Sequence, residues 1–292
     1  VSVSDPFLPQ KQHYLPAVYL KQFSTDGKNA TRTSQIWRLG GKGSQEVSVE
    51  SQCHERFFYS ASAPAEAEQF FQSFEGPYGE LAQTIWRKEQ NKNLKEYFGL
   101  ILFMVSLHLR NPAYEIRQRN IARIDIYKLL EQQFVHHVLL RGSGKVPTND
   151  ELFDILKEKW RVKLFSTTTG ALVTSDNPVL WYSMDESGDV HWILLPVTPY
   201  CCAIAFDHTT VAVNGFELTA SDEENVNREQ TSSMIKALYA HEPFCPDVVS
   251  AAPEFWSRHQ SPKGWIDADT WQMNVRRYKG RLNFIQPITS IS

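Results

Sequence analysis

The sequence predicts an α+β protein, and three observations carry that expectation. Helical periodicity runs through residues 64–141, six short β-prone segments lie between residues 162 and 213, and a glycine-turned hairpin precedes both. The expected order is N-terminal hairpin, central helical layer, antiparallel sheet and long C-terminal helix. Near the start, Leu15, Tyr19, Leu20 and Phe23 recur at helical spacing, with Pro16 suited to a first turn because its missing N–H would be unpaired there. Residues 35–39 and 46–50 flank Gly-Gly-Lys-Gly-Ser-Gln, which makes the hairpin. That string lacks the leading glycine and following helix of a phosphate loop.

Three helical runs follow, over residues 64–88 with an interruption at Gly76-Pro77, then 94–110 and 112–140. Asn111-Pro112 divides the last two, since a residue before proline avoids the helical region and proline begins a helix well. The apolar run at 98–109 is shorter than the roughly 18 residues of a membrane span and is bounded by Lys95, Glu96 and Arg110, so a buried helix is expected. Thr148 and Glu151 make a capping box for a helix reaching residue 160. The period then changes to short strands at 162–165, 171–174, 179–182, 190–195, 201–206 and 210–213. A last helix is expected over 221–240, capped by Ser221 and Glu224 with acidic residues in its first turn. Beyond it, Trp256, Trp265 and Trp271 show little periodicity, and one closing strand is expected at 282–285. Residues 12–240 read as one domain, and 241–292 as an aromatic-rich extension packed on it.

Composition narrows the function. At 42% hydrophobic and a mean hydropathy of −0.38 the chain reads as globular, while a net charge of −3 is too balanced for a dedicated nucleic-acid or membrane-surface protein. Any polyanion site must be local, and no membrane partner is expected. Four cysteines without a C-x-x-C pair exclude a disulfide scaffold and a thiolate zinc ribbon and fit a reducing compartment. The opening residues 1–12 hold no apolar core of the secretory kind, so the expected location is cytoplasmic. No H-E-x-x-H, G-x-S-x-G, G-x-G-x-x-G or P-loop string occurs. Cys201 and Cys202 should face opposite sides of a strand, which disfavours a shared metal. Neither Cys53-His54 nor His136-His137 has partners at ligand spacing. No metal and no cofactor is expected.

The string from His13 to Ser24, with His13-Tyr14, Pro16, Tyr19-Leu20 and Phe23, resembles the opening H-Y-x-P-x-x-Y-L-x-x-F motif of domain-of-unknown-function family 4238. The resemblance continues through Glu75, Arg110-Asn111-Pro112, residues 174–179 (T-S-D-N-P-V), residues 196–199 (P-V-T-P), and Asn225 with Asn227. It spans residues 12–240 and implies no settled activity.

Within these blocks His13 is the group able to shuttle protons near neutral pH, with a capping or core-polar role as the alternative. Asp176-Asn177-Pro178 has the composition of an Asx turn, or of a carboxylate and amide held to orient a histidine or substrate. Arg110, Tyr114 and Arg117 fall on one helix face that suits phosphate or carboxylate, unless Arg110 pairs with Glu75. Arg276, Arg277, Lys279 and Arg281, beside Trp271 and Tyr278, suit single-stranded nucleic acid or a solvated face. The expected function is an enzyme acting on a phosphate-containing substrate, RNA or DNA in the manner of a toxin or defence nuclease. His13, Asp176, Arg110 and Glu75 are its catalytic candidates, and Tyr14, Tyr19, Asn177, Tyr114 and Arg117 its substrate contacts. The rival is a non-catalytic binding or protein-interaction domain in which the same residues hold the fold.

Overall fold

The computed structural model describes residues 11–40, 43–56, 64–86, 94–111, 154, 158–185, 190–243 and 275–288. Strand β1 (Lys11–His13) pairs antiparallel with β4 (His54–Arg56), setting His13 opposite His54. Between them lie α1 (Ala17–Leu20), a 3₁₀ turn at Lys21–Phe23, and the expected hairpin of β2 (Gln35–Gly40) and β3 (Gly43–Ser48). Pro16 caps α1 in an extended conformation, one residue ahead of the predicted position, and its carbonyl accepts from the Tyr19 and Leu20 N–H groups.

Helices α2 (Pro64–Trp86) and α3 (Leu94–Leu109) form the helical layer. Contrary to expectation, α2 is not interrupted at Gly76-Pro77. Proline inside a helix forfeits one hydrogen bond at a cost of about 3 kcal/mol. Here the turn after it buries Tyr78, Leu81 and Ala82, and the Tyr78 hydroxyl donates to the Val197 carbonyl, so tertiary packing outweighs the break. The apolar run is buried as predicted: Leu100, Ile101, Phe103, Met104, Val105 and Leu107 are each at most 1% exposed. Among the described residues no helix is long and apolar enough to cross a membrane.

The strands make two main sheets where one was expected. One orders β3-β2-β11-β6, with β6 at Thr174–Ser175 and β11 at Leu238–Ala240. The other orders β12-β7-β8-β9-β5, built from β5 (Trp160–Ser166), β7 (Leu180–Ser183), β8 (Trp192–Thr198), β9 (Cys201–Asp207) and β12 (Val275–Arg277). Trp160 opens a strand opposite Asp207 where a helix end was expected. Strand β12 runs parallel to β7, an exception to the predicted antiparallel pattern. A further pair joins β10 (Val211–Val213) to β13 (Ile285–Pro287), three residues later than the predicted closing strand.

Every residue of β8 and β9 is buried because this sheet is covered on both faces. Ile193, Leu195 and Val197 join the core under α2 and α3, whereas Trp192 and Leu194 point into the second core. There they meet Val226 of α4 (Ala220–Ser233) together with Leu282, Phe284 and Ile285.

Helix α4 is shorter than the predicted 221–240. Its capping box is formed by Thr219 and Asp222, not Ser221 and Glu224, because Leu218 is still held extended by its N–H bond to the Ser166 carbonyl. Its chain leaves the helix after Ser233 to form β11 between β2 and β6. In the predicted strand 171–174 only Thr174 enters a ladder. The Asn227 side chain takes the place of a strand partner, accepting from the Val173 N–H and donating to the Ala171 carbonyl. The helices expected at 112–140 and 148–160, and Trp256, Trp265 and Trp271, lie largely or wholly outside the described residues.

Candidate functional site

The motif blocks are brought together by hydrogen bonds that run from one block to the next. Tyr19 is fully buried on α1, and its hydroxyl lies 2.7 Å from the Thr174 Oγ1 and donates to the Pro196 carbonyl at 2.8 Å. That one phenol links the opening motif to residues 174–179 and 196–199. Tyr14, also buried, donates its N–H to the Cys53 carbonyl at 3.0 Å.

Glu75 of α2 accepts from the Arg110 Nη1 at 2.7 Å, the ion pair that was one of the two sequence readings. The guanidinium also lies 4.8 Å from the centroid of the Phe71 ring, and its side chain is 1% exposed. The next residue, Asn111, donates to the Asp176 carbonyl at 3.0 Å.

Asp176 follows β6 and is 1% exposed. Its two carboxylate oxygens accept from the Ile235 N–H at 2.6 Å and the Lys236 N–H at 2.7 Å, and its own N–H donates to the Ala237 carbonyl. Burial pushes the carboxyl up to about 6, against the opposing pull of these N–H groups and the Lys236 charge. Asn177 donates from Nδ2 to the Ser233 carbonyl. One of the two sequence readings was an Asx turn bonded to its own neighbouring backbone. Here Asp176 and Asn177 instead bond backbone at the far end of α4, almost sixty residues away.

His13 sits half-buried in β1 with Nε2 3.3 Å from the Glu50 carbonyl, and its ring meets His54 edge-on at 5.4 Å. Burial lowers its pKa, reinforced by the positive surroundings of His54 and Arg32, while the Glu50 carbonyl and the Glu75 charge pull upward. A neutral imidazole donating from Nε2 satisfies that bond.

Sequence reasoning weighed Cys53 only as a metal ligand and passed over Tyr239. Cys53 carries a backbone φ of +53° in the left-handed region, and its Sγ lies 3.2 Å from the Tyr239 hydroxyl. Burial, helped by the charge of Asp176, pushes the thiol up to about 12, so it is a protonated packing group at neutral pH. Tyr239 sits in β11, where the sequence predicted helix, so nothing in the local pattern pointed to it. Tyr114 and Arg117, two expected substrate contacts, lie outside the described residues. Among the described residues no three His, Cys, Asp or Glu side chains group as metal ligands.

A separate feature opens where β12 joins β7. A cavity of about 260 Å³ lies between Glu229 of α4, Tyr182 of β7 and the basic residues 276–281. The cluster seen in the sequence thus lines a cleft. Arg276 there donates to Glu229 Oε2 and to the Ser232 hydroxyl, each at 2.5 Å.

Fold and site together define an α+β protein whose motif residues are bonded chiefly to one another and to backbone, beside a basic cleft contributed partly by its C-terminal segment. The chain belongs to DUF4238, a family described as proteins of unknown function, whose model matches residues 11–241. None of the curated proteins and none of the solved structures compared with the chain matches it.

Proposed function

We propose that this chain is a non-catalytic binding module. In this reading the family motifs are its frame, and a phosphate-bearing partner is recognised elsewhere on the surface. The observation that carries it is the state of Asp176. A carboxylate that is to orient a catalytic histidine or accept a proton needs a free oxygen facing the reacting group, but both oxygens of Asp176 are held by backbone N–H groups in a buried setting. Arg110 is likewise buried and ion-paired to Glu75. Groups arranged this way contribute chain topology and rigidity, in keeping with buried polar groups that must be hydrogen-bonded.

The competing reading makes His13 a general acid or base on a phosphate ester. The test is to incubate the purified chain with p-nitrophenyl phosphate, bis(p-nitrophenyl) phosphate and end-labelled single-stranded RNA and DNA, beside His13→Ala and Asp176→Asn. The binding-module reading expects no turnover above buffer for any of the three proteins. Turnover by the wild type that falls about 100-fold or more in His13→Ala, with the melting temperature kept, would overturn it.

A further inference from the structure

Strand β3 ends the order β3-β2-β11-β6, so a neighbouring strand occupies only one of its sides. The two-residue connection makes Gly40 and Gly43 a hydrogen-bonded pair, and the alternation of an antiparallel ladder then does the same for Arg38 with Gln45 and Ile36 with Val47. The N–H and C=O groups of Ser44 and Glu46 therefore point away from β2. Gly43, Ser44, Gln45 and Glu46 are all exposed, and among the described residues no backbone group bonds to this outer side. Ser48, next in the alternation, is already drawn into the turn at Val49–Ser51, its carbonyl accepting from the Ser51 hydroxyl at 2.7 Å. The outward donors and acceptors of Ser44 and Glu46 thus form a template for one more strand.

The residues that usually guard an open strand are not used in β3. Its sequence, Gly-Ser-Gln-Glu-Val-Ser, holds neither proline nor lysine. Elsewhere in the fold such positions are protected. The edge strand β5 carries Arg161 and Lys163, and the Asn227 side chain bonds the backbone just ahead of β6. Beside the outer side of β3 stand Ser44, Gln45 and Glu46, polar and exposed, which give the alternate side chains of a foreign peptide no apolar anchor. What this strand can satisfy is main chain.

We propose that β3 pairs antiparallel with β3 of a second copy of this chain, about a two-fold axis at Gln45. In that register Ser44 of each copy lies opposite Glu46 of the other, and every outward donor and acceptor of these residues is matched. The two Gln45 side chains meet on the axis, where each amide donates to the other's carbonyl. A register centred on Glu46 sets two carboxylates against each other, and one centred on Val47 calls on the Ser48 carbonyl that Ser51 already holds. One strand pair is at the small end of specific interfaces, so the dimer is reversible and grows with concentration. It joins the β3-β2-β11-β6 sheets of two copies into one and holds whether or not the chain is a binding module.

Sedimentation velocity of the full chain over a hundredfold range of concentration tests the pairing, with a melting curve for each variant. The wild type is expected to pass reversibly from monomer to dimer. Glu46→Pro removes an outward N–H while leaving the bonds to β2 in place, and should weaken dimerisation about tenfold or more. Gln45→Lys and Gln45→Glu each set like charges on the axis and should weaken it likewise, whereas an equimolar mixture of the two should regain it. A wild type that stays monomeric throughout, equal dimerisation in wild type and Glu46→Pro, or a mixture no better than its components each overturns the proposal. If Glu46→Pro does not fold, the two Gln45 variants still decide. A labelled Thr-Val-Thr-Val-Thr-Val peptide, followed by fluorescence anisotropy, separates a foreign strand from a second copy. Its uptake at β3 by a chain that remains monomeric overturns the pairing in favour of such a partner.

Discussion

The Glu75–Arg110 pair allows the framework role of the motifs to be measured. Its two ends are unequally placed, with the Arg110 side chain 1% exposed and Glu75 26% exposed. Glu75→Ala leaves a guanidinium buried beside Phe71 without its carboxylate, and removing one partner of a buried pair costs about 3–5 kcal/mol. Because Glu75 is partly solvated, the lower figure applies, about 3 kcal/mol. Arg110→Met keeps the apolar stem in the core and leaves Glu75 near enough to solvent to rehydrate. Its cost is the net pair plus the contact with the Phe71 ring, about 1 kcal/mol. In the double variant nothing remains buried and charged, so its loss should be close to that of Arg110→Met alone, a coupling of about 3 kcal/mol. Urea unfolding at constant m-value reads all three differences. If Glu75→Ala costs less than Arg110→Met, or if the two losses simply add, Arg110 is not held by this pair and the argument fails.

Two other perturbations probe the same frame. Asp176 has its folded-state pKa raised from an ordinary 3.8 to about 6, so its protonated form is favoured on folding. Its contribution to stability is therefore fully present below about pH 4 and is lost as pH rises through 6, a change of roughly 3 kcal/mol. Urea midpoints of wild type minus Asp176→Asn between pH 4.5 and 8 should fall and then level above about pH 7, whereas a flat or rising difference refutes this. Tyr19→Phe leaves the Pro196 carbonyl and the Thr174 hydroxyl without their buried partner and should cost about 1–3 kcal/mol, read by thermal melting. An unchanged melting temperature would mean that water replaces the phenol.

Legibility followed the range of the forces involved. The hairpin, the buried α3 and strands β5, β7, β8 and β9 are written in local period and punctuation, and they stand within a few residues of expectation. What escaped was decided at a distance. The segment 221–240 reads as a helix throughout, yet Asp176 takes the Ile235 and Lys236 N–H groups and the chain turns into a sheet between Leu39 and Ser175. Thr219 and Ser221 are equally good caps by composition, and the Ser166–Leu218 bond decides between them. The ion pair of Arg110 with Glu75 was readable as one of two alternatives, because both residues stand in the motif blocks. Cys53 and Tyr239 were not, since a left-handed cysteine and a strand tyrosine leave no periodic trace.

The place of β11 in its sheet also bears on how the chain is made. Strand β2 emerges early, but its inner neighbour pairs Leu238 with Leu39, roughly 200 residues later. At a synthesis rate of about 5–20 residues per second, the hairpin waits roughly 10–40 s for that partner. Through that interval β2 offers an open edge beside Ile36 and Leu39, both destined for burial. Closing so long a loop also slows folding once the chain is complete. The nascent protein is therefore most exposed to edge-to-edge association before residue 240 has left the ribosome.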